Sequence, residues 1–276
     1  MPELPEVETV VRQLKSSILG RSFKNVSIKK KINKFLLTMP IEVIVDKKIR
    51  DVTRIGKSIK ILFDADPELV LLIHLGMTGN IFVGKSGLTN LPKHTVFYAK
   101  LSSGEDFVFE DPRGFGQFKL VTQNEASSLL AKIAPDPFHE DWSKKLFAKK
   151  LAMKNRIIKT LLLDQTFMSG VGNIYACEAL FLSKIHPQEI SKNIPVKKAE
   201  ALFENIKKVL QMGIDSNGAS FRDYKQTSGE AGFFQTLTKV YNKKGQACVL
   251  CKSKIEAMFF AGRSTYFCST CQQFEE

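Results

Sequence analysis

The chain has 276 residues, with 41 lysines and arginines against 28 acidic residues and a formal net charge of +13. That length suffices for two cored domains, no apolar run reaches membrane-spanning length, and no secretory h-region opens the chain. A membrane-spanning or secreted class is thereby excluded in favour of a soluble intracellular protein, and the cationic excess points to a polyanionic partner, nucleic acid ahead of membrane headgroups.

The chain opens Met1-Pro2-Glu3-Leu4-Pro5-Glu6-Val7-Glu8. Leu4, Val7, Val10, Val11 and Leu14 recur at three- and four-residue steps, the stripe of an amphipathic helix. Proline suits the first turn, where its missing N–H would have no partner, and acidic residues suit the positive end of the helix dipole. A helix is therefore predicted almost from the chain start. Removal of Met1 leaves Pro2 as a secondary amine; an α-amino group titrates near ~7.7–8.0, so a useful fraction is neutral and nucleophilic at physiological pH. Its attack on a sugar carbonyl carbon gives a cationic iminium, an electron sink suited to elimination. Glu3 and Glu6 flank it as acid/base groups. A plain helix cap accounts for the same residues without catalysis.

Residues 22–121 read as β structure, with short Val-, Ile-, Phe- and Thr-rich runs between turn residues. Ile59, Ile61 and Phe63 alternate with Ser58, Lys60 and Leu62; Leu69–Leu75, Thr95–Leu101 and Asp106–Glu110 are further strands. Strands without intervening helices predict an antiparallel sandwich or barrel. Gly56-Lys57 precedes one strand, His74-Leu-Gly-Met77 ends another, and Asp111-Pro-Arg113-Gly-Phe115-Gly116 is a turn-rich loop. Arg113 with an apolar neighbour such as Phe115 or Met77 can open a base stack, although ordinary core packing accounts for Met77 and Phe115 equally.

From about residue 122 the spacing becomes helical, over Ala126–Ile133, Ser143–Leu151, Ile157–Leu163, Ile174–Ile185 and Val196–Met212. Ala134-Pro-Asp-Pro-Phe138 marks a boundary. Ser169-Gly-Val-Gly-Asn173 precedes a helix, with Asn173 predicted as its N-cap and the helix start as a phosphate site. Residues 216–239, rich in glycine and polar residues, predict a long, mobile loop.

Four of the five cysteines form Cys248-x-x-Cys251 and Cys268-x-x-Cys271. Two such pairs at this separation read as a four-thiolate zinc site. Between them, Phe259–Phe267 reads as a β-hairpin with Arg263 at its turn. Cys177, in an apolar helical pattern, reads as a buried small hydrophobe.

Over essentially its whole length the sequence resembles the bacterial formamidopyrimidine-DNA glycosylases. The anchors are Pro2–Thr9, Gly56-Lys57, His74–Met77, Asp111-Pro-Arg113 with Phe115-Gly116, Leu163-Asp-Gln165, Gly170–Tyr175, Arg222-Asp223 and the terminal cysteines with Gly262–Tyr266. The resemblance implies an α+β multidomain fold. An N-terminal helix would lie on a two-sheet β-sandwich (1–133), followed by a helical domain with a helix–two-turn–helix and a lesion loop (134–238). A zinc-finger hairpin holding one structural Zn2+ would close the chain (239–276). It implies a monomeric bacterial base-excision repair enzyme of the cytoplasm, associated with the nucleoid. That enzyme would excise 8-oxoguanine and formamidopyrimidines from double-stranded DNA and cleave the strand by β,δ-elimination. Pro2, Glu3, Glu6 and Lys57 would form the catalytic set. Lys57, His74, Asn173 and Arg263 would clamp phosphates, Met77, Arg113 and Phe115 would fill the void left by the flipped base, and Arg222 would bind DNA beside the lesion loop. Leu4, where the endonuclease VIII branch has glycine, and the void-filling set favour the purine branch. Three departures stand out: Gly114 replaces a second basic residue, Lys252 replaces a frequent glycine, and Asn217-Gly-Ala-Ser replaces a Gly-Gly-Ser/Thr run.

Overall fold

A computed structural model describes residues 1–85 and 91–274, divided between two compact units, Met1–Lys132 with Ile214–Gln235 and Ile133–Gly213 with Thr236–Glu276. The first unit runs through α1 (Leu4–Ile18), β1 (Phe23–Ile28), β2 (Lys34–Leu37), β3 (Ile49–Ile55), β4 (Ser58–Phe63), β5 (Leu69–His74), β6 (Asn80–Lys85), β7 (Thr95–Leu101), β8 (Glu105–Glu110), β9 (Gln117–Thr122) and α2 (Gln123–Leu130). The strands form an antiparallel sheet of order β1-β7-β8-β6 and a second of order β2-β9-β5-β4-β3. The second is antiparallel except where β2 runs parallel to β9.

The predicted stripe of α1 faces the core: Leu4, Val7, Val10 and Leu14 are fully buried and Val11 is buried beside them, with Ile18 extending the stripe by one turn. Each such side chain contributes roughly 1.5–3 kcal/mol by leaving water. Phe23 is the centre of an aromatic cluster between the sheets, with ring centroids 5.4 Å from Phe107 and 5.9 Å from both Phe63 and Phe97. Strand β4 alternates as expected, Ile59, Ile61 and Phe63 pointing in. Strand β5 does not alternate, because α2 covers its other face through Val70, Leu72, Val121 and Ala126.

The second unit is helical, with α3 (Lys144–Ala152), α4 (Ile158–Leu162), α5 (Asn173–Leu182) and most of α6 (Val196–Asp215), and ends in β10 (Glu256–Phe260) and β11 (Arg263–Phe267). Trp142, Phe147, Phe167 and Phe203 make one aromatic cluster. Helix α5 is buried on nearly every side, which is why its sequence lacks a polar face. Gly213 of α6 is required by close approach: a Cβ there would lie 2.5 Å from the Tyr175 hydroxyl. Among the described residues, no helix is long and apolar enough to cross a membrane.

Candidate active site and nucleic-acid interface

Pro2, Glu3 and Glu6 are all buried at the start of α1. The Glu3 N–H donates to Glu6 Oε2 at 2.7 Å, and the Ala219 N–H donates to Glu6 Oε1 at 2.8 Å. One carboxylate thus joins the predicted catalytic terminus to the loop that begins at Asn217. The loop must come this close through glycine. Gly218 has φ +83°, and a Cβ on it would meet Glu6 Cγ at 2.8 Å. The buried Tyr224 hydroxyl donates to the Asn217 carbonyl at 3.2 Å. Burial and the Glu6 charge push that phenol far above its ordinary range, so it acts as a neutral donor. The loop is long, as its composition predicts, but it is tied down along its length. Arg222 is exposed on it.

Lys57 is 8% exposed in the two-residue turn Gly56-Lys57, where Ile55 pairs with Ser58 and Gly56 has φ +57°. Across the sheet, Ser58 pairs with His74, His74 with Gln117, and Gln117 with Lys34. Burial, together with the charges of Lys57, Lys34 and Lys119, lowers the His74 pKa to about 4. His74 Nδ1 accepts the Gly76 N–H at 3.0 Å. The ring is therefore neutral with its proton on Nε2, a single donor amid three cations. Such a cluster is built for an anion.

The loops of Met77 and Arg113 lie backbone to backbone. A Cβ on Gly76 would fall 2.5 Å from the Gly116 nitrogen. Fully buried Asp111 organises the contact, accepting from Thr78 Oγ1 at 2.7 Å and from the Gly116 N–H at 2.7 Å. Thr78 Oγ1 in turn accepts the Arg113 N–H at 3.2 Å. Met77 and Phe115 are 37% and 47% exposed, and the Arg113 guanidinium sits 4.8 Å from the Phe115 ring centroid. Core packing does not account for these two side chains. Gly114 has φ +69°, a conformation any basic side chain would adopt only under strain.

In the second unit, Gln165 ties the loop between α4 and α5, donating to the Leu163 and Val171 carbonyls and accepting the Gly170 N–H at 2.9 Å. The expected cap is corrected here. Gly172, not Asn173, occupies the N-cap position, because the Asn173 amide instead donates to the Ser264 carbonyl at 2.9 Å. That bond reaches the residue after Arg263, which is exposed beside a tight turn with Ala261 and Gly262 at φ +49° and +73°. Helix α5 also holds the segment leading into the cysteine module through Glu178, whose carboxylate accepts the Lys239, Val240 and Tyr241 N–H groups at 2.8–3.0 Å. Cys177 is fully buried, and burial pushes its thiol up.

Cys248, Cys251, Cys268 and Cys271 bring their sulfurs within 4.8 Å of one another, with Cys248–Cys271 at 3.8 Å and Cys251–Cys268 at 3.4 Å. Tetrahedral Zn–S bonds of about 2.3 Å require sulfur separations near ~3.8 Å. The Leu250 N–H also points to Cys248 Sγ at 3.4 Å, as a ligating thiolate needs. The four cysteines fit one structural zinc ion.

Three family profiles match in order: the formamidopyrimidine-DNA glycosylase N-terminal domain over residues 1–118, the formamidopyrimidine-DNA glycosylase H2TH domain over 133–225, and a zinc finger found in FPG and IleRS over 245–273. A formamidopyrimidine-DNA glycosylase of Legionella pneumophila is 37% identical over 276 residues, covering 99% of this chain and 98% of its own. The chain belongs to the formamidopyrimidine-DNA glycosylase family. A Zymomonas mobilis glycosylase of the same name is 38% identical over 280 residues, covering 99% of this chain and all of its own. Among solved structures, a mutant FPG of Lactococcus lactis in complex with Fapy-dG-containing DNA superposes with a TM-score of 0.89 at 32% identity, covering 99% of this chain and all of that one. MutM in complex with DNA containing carbocyclic 8-oxo-G gives 0.88 at 32% identity with the same coverage.

Within this glycosylase frame, the structure gathers Pro2, Glu3 and Glu6 at one helix start, Lys57 and His74 in one basic cluster, and Met77, Arg113 and Phe115 on two touching loops. Asn173 and Arg263 are linked through Ser264 in the second unit. Sequence reasoning missed Lys34 and Lys119: Lys119 reaches His74 because β9 pairs with β5, and Lys34 because β2 pairs with β9. It also missed the organising role of Asp111. Its signal was present, an acidic residue before proline in a turn-rich loop.

Proposed function

We propose that this protein is a base-excision repair glycosylase that removes oxidised purines from double-stranded DNA and then cleaves the strand. The observation that carries the reading is the Glu6 carboxylate, bonded at once to the Pro2-Glu3 terminus and to the loop at Ala219. A nucleotide held by that loop would lie at the nucleophile.

Removal of Met1 exposes the Pro2 secondary amine. Its lone pair attacks C1′, and the glycosidic bond breaks with its electrons leaving on the base, which takes up a proton. The C1′–O4′ bond then breaks as Glu3 gives its proton to O4′, and the Pro2 nitrogen lone pair forms an iminium with C1′. Loss of a C2′ proton to Glu3 then expels the 3′-phosphate, and a second elimination expels the 5′-phosphate. Lys57 and the neutral His74 Nε2–H hold backbone phosphate, with Asn173 and Arg263 acting likewise from the second unit. Flipping costs a few kcal/mol of stacking and pairing. Met77, Arg113 and Phe115 offset that cost by filling the void, with Arg113 facing the orphan cytosine, and Arg222 binds the strand beside the loop. Zinc is structural, cross-linking the hairpin that carries Arg263. The enzyme works as a monomer on nucleoid DNA in the bacterial cytoplasm.

Borohydride trapping tests this reading. On duplex carrying 8-oxoguanine opposite cytosine, a covalent adduct mapping to Pro2, and absent in Pro2→Gly, supports it. An adduct on oxidised pyrimidines alone moves the protein to the endonuclease VIII branch. Tight DNA binding with no adduct on any lesion leaves a damage binder.

A further inference from the structure

We infer that Gln13 and Asn80 are positioning residues that clasp the 217–232 loop above the catalytic helix start and so set the rate of base excision. This rests on the glycosylase reading given above.

Each side chain uses its amide as a substitute peptide group. Asn80, the first residue of the outer strand β6, accepts the Lys225 N–H on Oδ1 at 3.0 Å and donates from Nδ2 to the Asp223 carbonyl at 3.1 Å. Gln13, on α1 itself, accepts the Thr227 N–H at 2.9 Å and the Thr227 hydroxyl at 3.0 Å on Oε1. Its Nε2 donates to Gln226 Oε1 at 2.6 Å. The other end of the Gln226 amide donates to the Ala231 carbonyl at 2.9 Å, passing the restraint to the far limb of the loop. Between the two clasps the Val83 N–H donates to the Thr227 carbonyl at 3.3 Å, so the loop adds a backbone rung to the edge of β6. Gln226 and Thr227 are 4% and 5% exposed.

The geometry divides the loop. Residues 223–227 are fixed by the clasps, and Ala219 is fixed by Glu6. The short span Ser220–Arg222 thereby lies between two anchors, Glu6 on α1 and Asn80 on β6. The partly buried Gln13 pairs are costly to break, since each leaves the buried Gln226 or Thr227 unsatisfied, and the exposed pair of bonds made by Asn80 adds a second restraint. A loop so held is preorganised for a base, which raises the excision step rather than DNA affinity. An abasic nucleotide presents no base to the loop.

The test is a split between two substrates. Gln13→Ala, Asn80→Ala and the double variant should each lower the single-turnover rate of 8-oxoguanine release, by about tenfold or more in the double variant. Strand cleavage at a preformed abasic site should keep the wild-type rate. Gln13→Glu, which retains the acceptor for Thr227, should recover part of the loss. Equal loss on both substrates, or loss on neither, would overturn the inference. Should the wild-type protein release no oxidised base, the glycosylase reading fails separately. Hydrogen exchange in the free protein then decides the clasp: amides of residues 219–232 should exchange at least tenfold faster in the double variant, and unchanged exchange would overturn it.

Discussion

The Gly76 N–H donates to His74 Nδ1 at 3.0 Å, which fixes the imidazole as a neutral donor on its other nitrogen. Burial and three lysine charges hold its pKa at about 4, against an ordinary 6.5. The unfolded chain therefore takes up this proton first as pH falls. The contribution to stability is fully present above about pH 6.5 and is lost as pH falls towards 4. We expect the His74 ring resonances of the free protein to titrate below pH 5, and the pH dependence of DNA binding between pH 6 and 8 to owe nothing to its titration. A midpoint near 6.5 would show that the basic cluster does not surround it.

Asp111 to alanine should be severe although it touches no predicted catalytic atom. It leaves the Thr78 hydroxyl and the Gly116 N–H without their acceptor in a fully buried site. Each orphaned group costs roughly 1–3 kcal/mol. Urea unfolding should report a loss in that range or its double. In the proposed reading, discrimination for cytosine opposite the lesion should fall too, because Arg113 loses its anchor.

Salt should weaken binding to lesion duplex steeply. Each phosphate neutralised contributes about −0.9 to the slope of log affinity against log salt. Lys57 and Arg263, the charged members of the clamp, together predict a slope of about −1.8 or steeper, and Arg263→Ala should reduce it by about one. A flat response would remove the phosphate clamp from the mechanism.

Chelation of zinc, or Cys268→Ser, should abolish tight DNA binding while leaving the β-sandwich folded. The sandwich has its own core, and no cysteine contributes to it. Calorimetry should retain the sandwich transition. Collapse of every transition together would make the zinc module structural for the entire chain.

Lys252 has φ +67° in the zinc knuckle, a left-handed conformation that costs a side-chain-bearing residue roughly 1–2 kcal/mol. Lys252→Gly should therefore slow zinc loss to a competing chelator. A faster loss would show that the lysine side chain holds the turn.

Much of this is legible in the sequence because it depends on local spacing. The stripe from Leu4 to Leu14 and the paired cysteines each carry their own geometry. Lys34 and Lys119 are not legible, since which strands pair, β9 with β5 and β2 with β9, leaves no periodic mark on any of them. Asn173 is of a residue type that favours a cap, yet a tertiary partner, Ser264, claims the side chain. The departures at Asn217 and Lys252 are visible, and their meaning comes only with the backbone: both have positive φ, +55° and +67°.

The first unit is discontinuous, taking residues Ile214–Gln235 from beyond the whole helical segment. During synthesis the sandwich can close its core once β9 has emerged, but Gln13 must wait for Gln226, 213 positions later. Contacts so distant in sequence are slow to form, and domains tend to fold in the order they are made. The nascent chain would thus carry a folded sandwich with a bare catalytic terminus until the second unit was nearly complete. The nucleophile would gain its loop among the last events of folding, so a truncated chain ending before residue 217 would bury its core and still have no finished site.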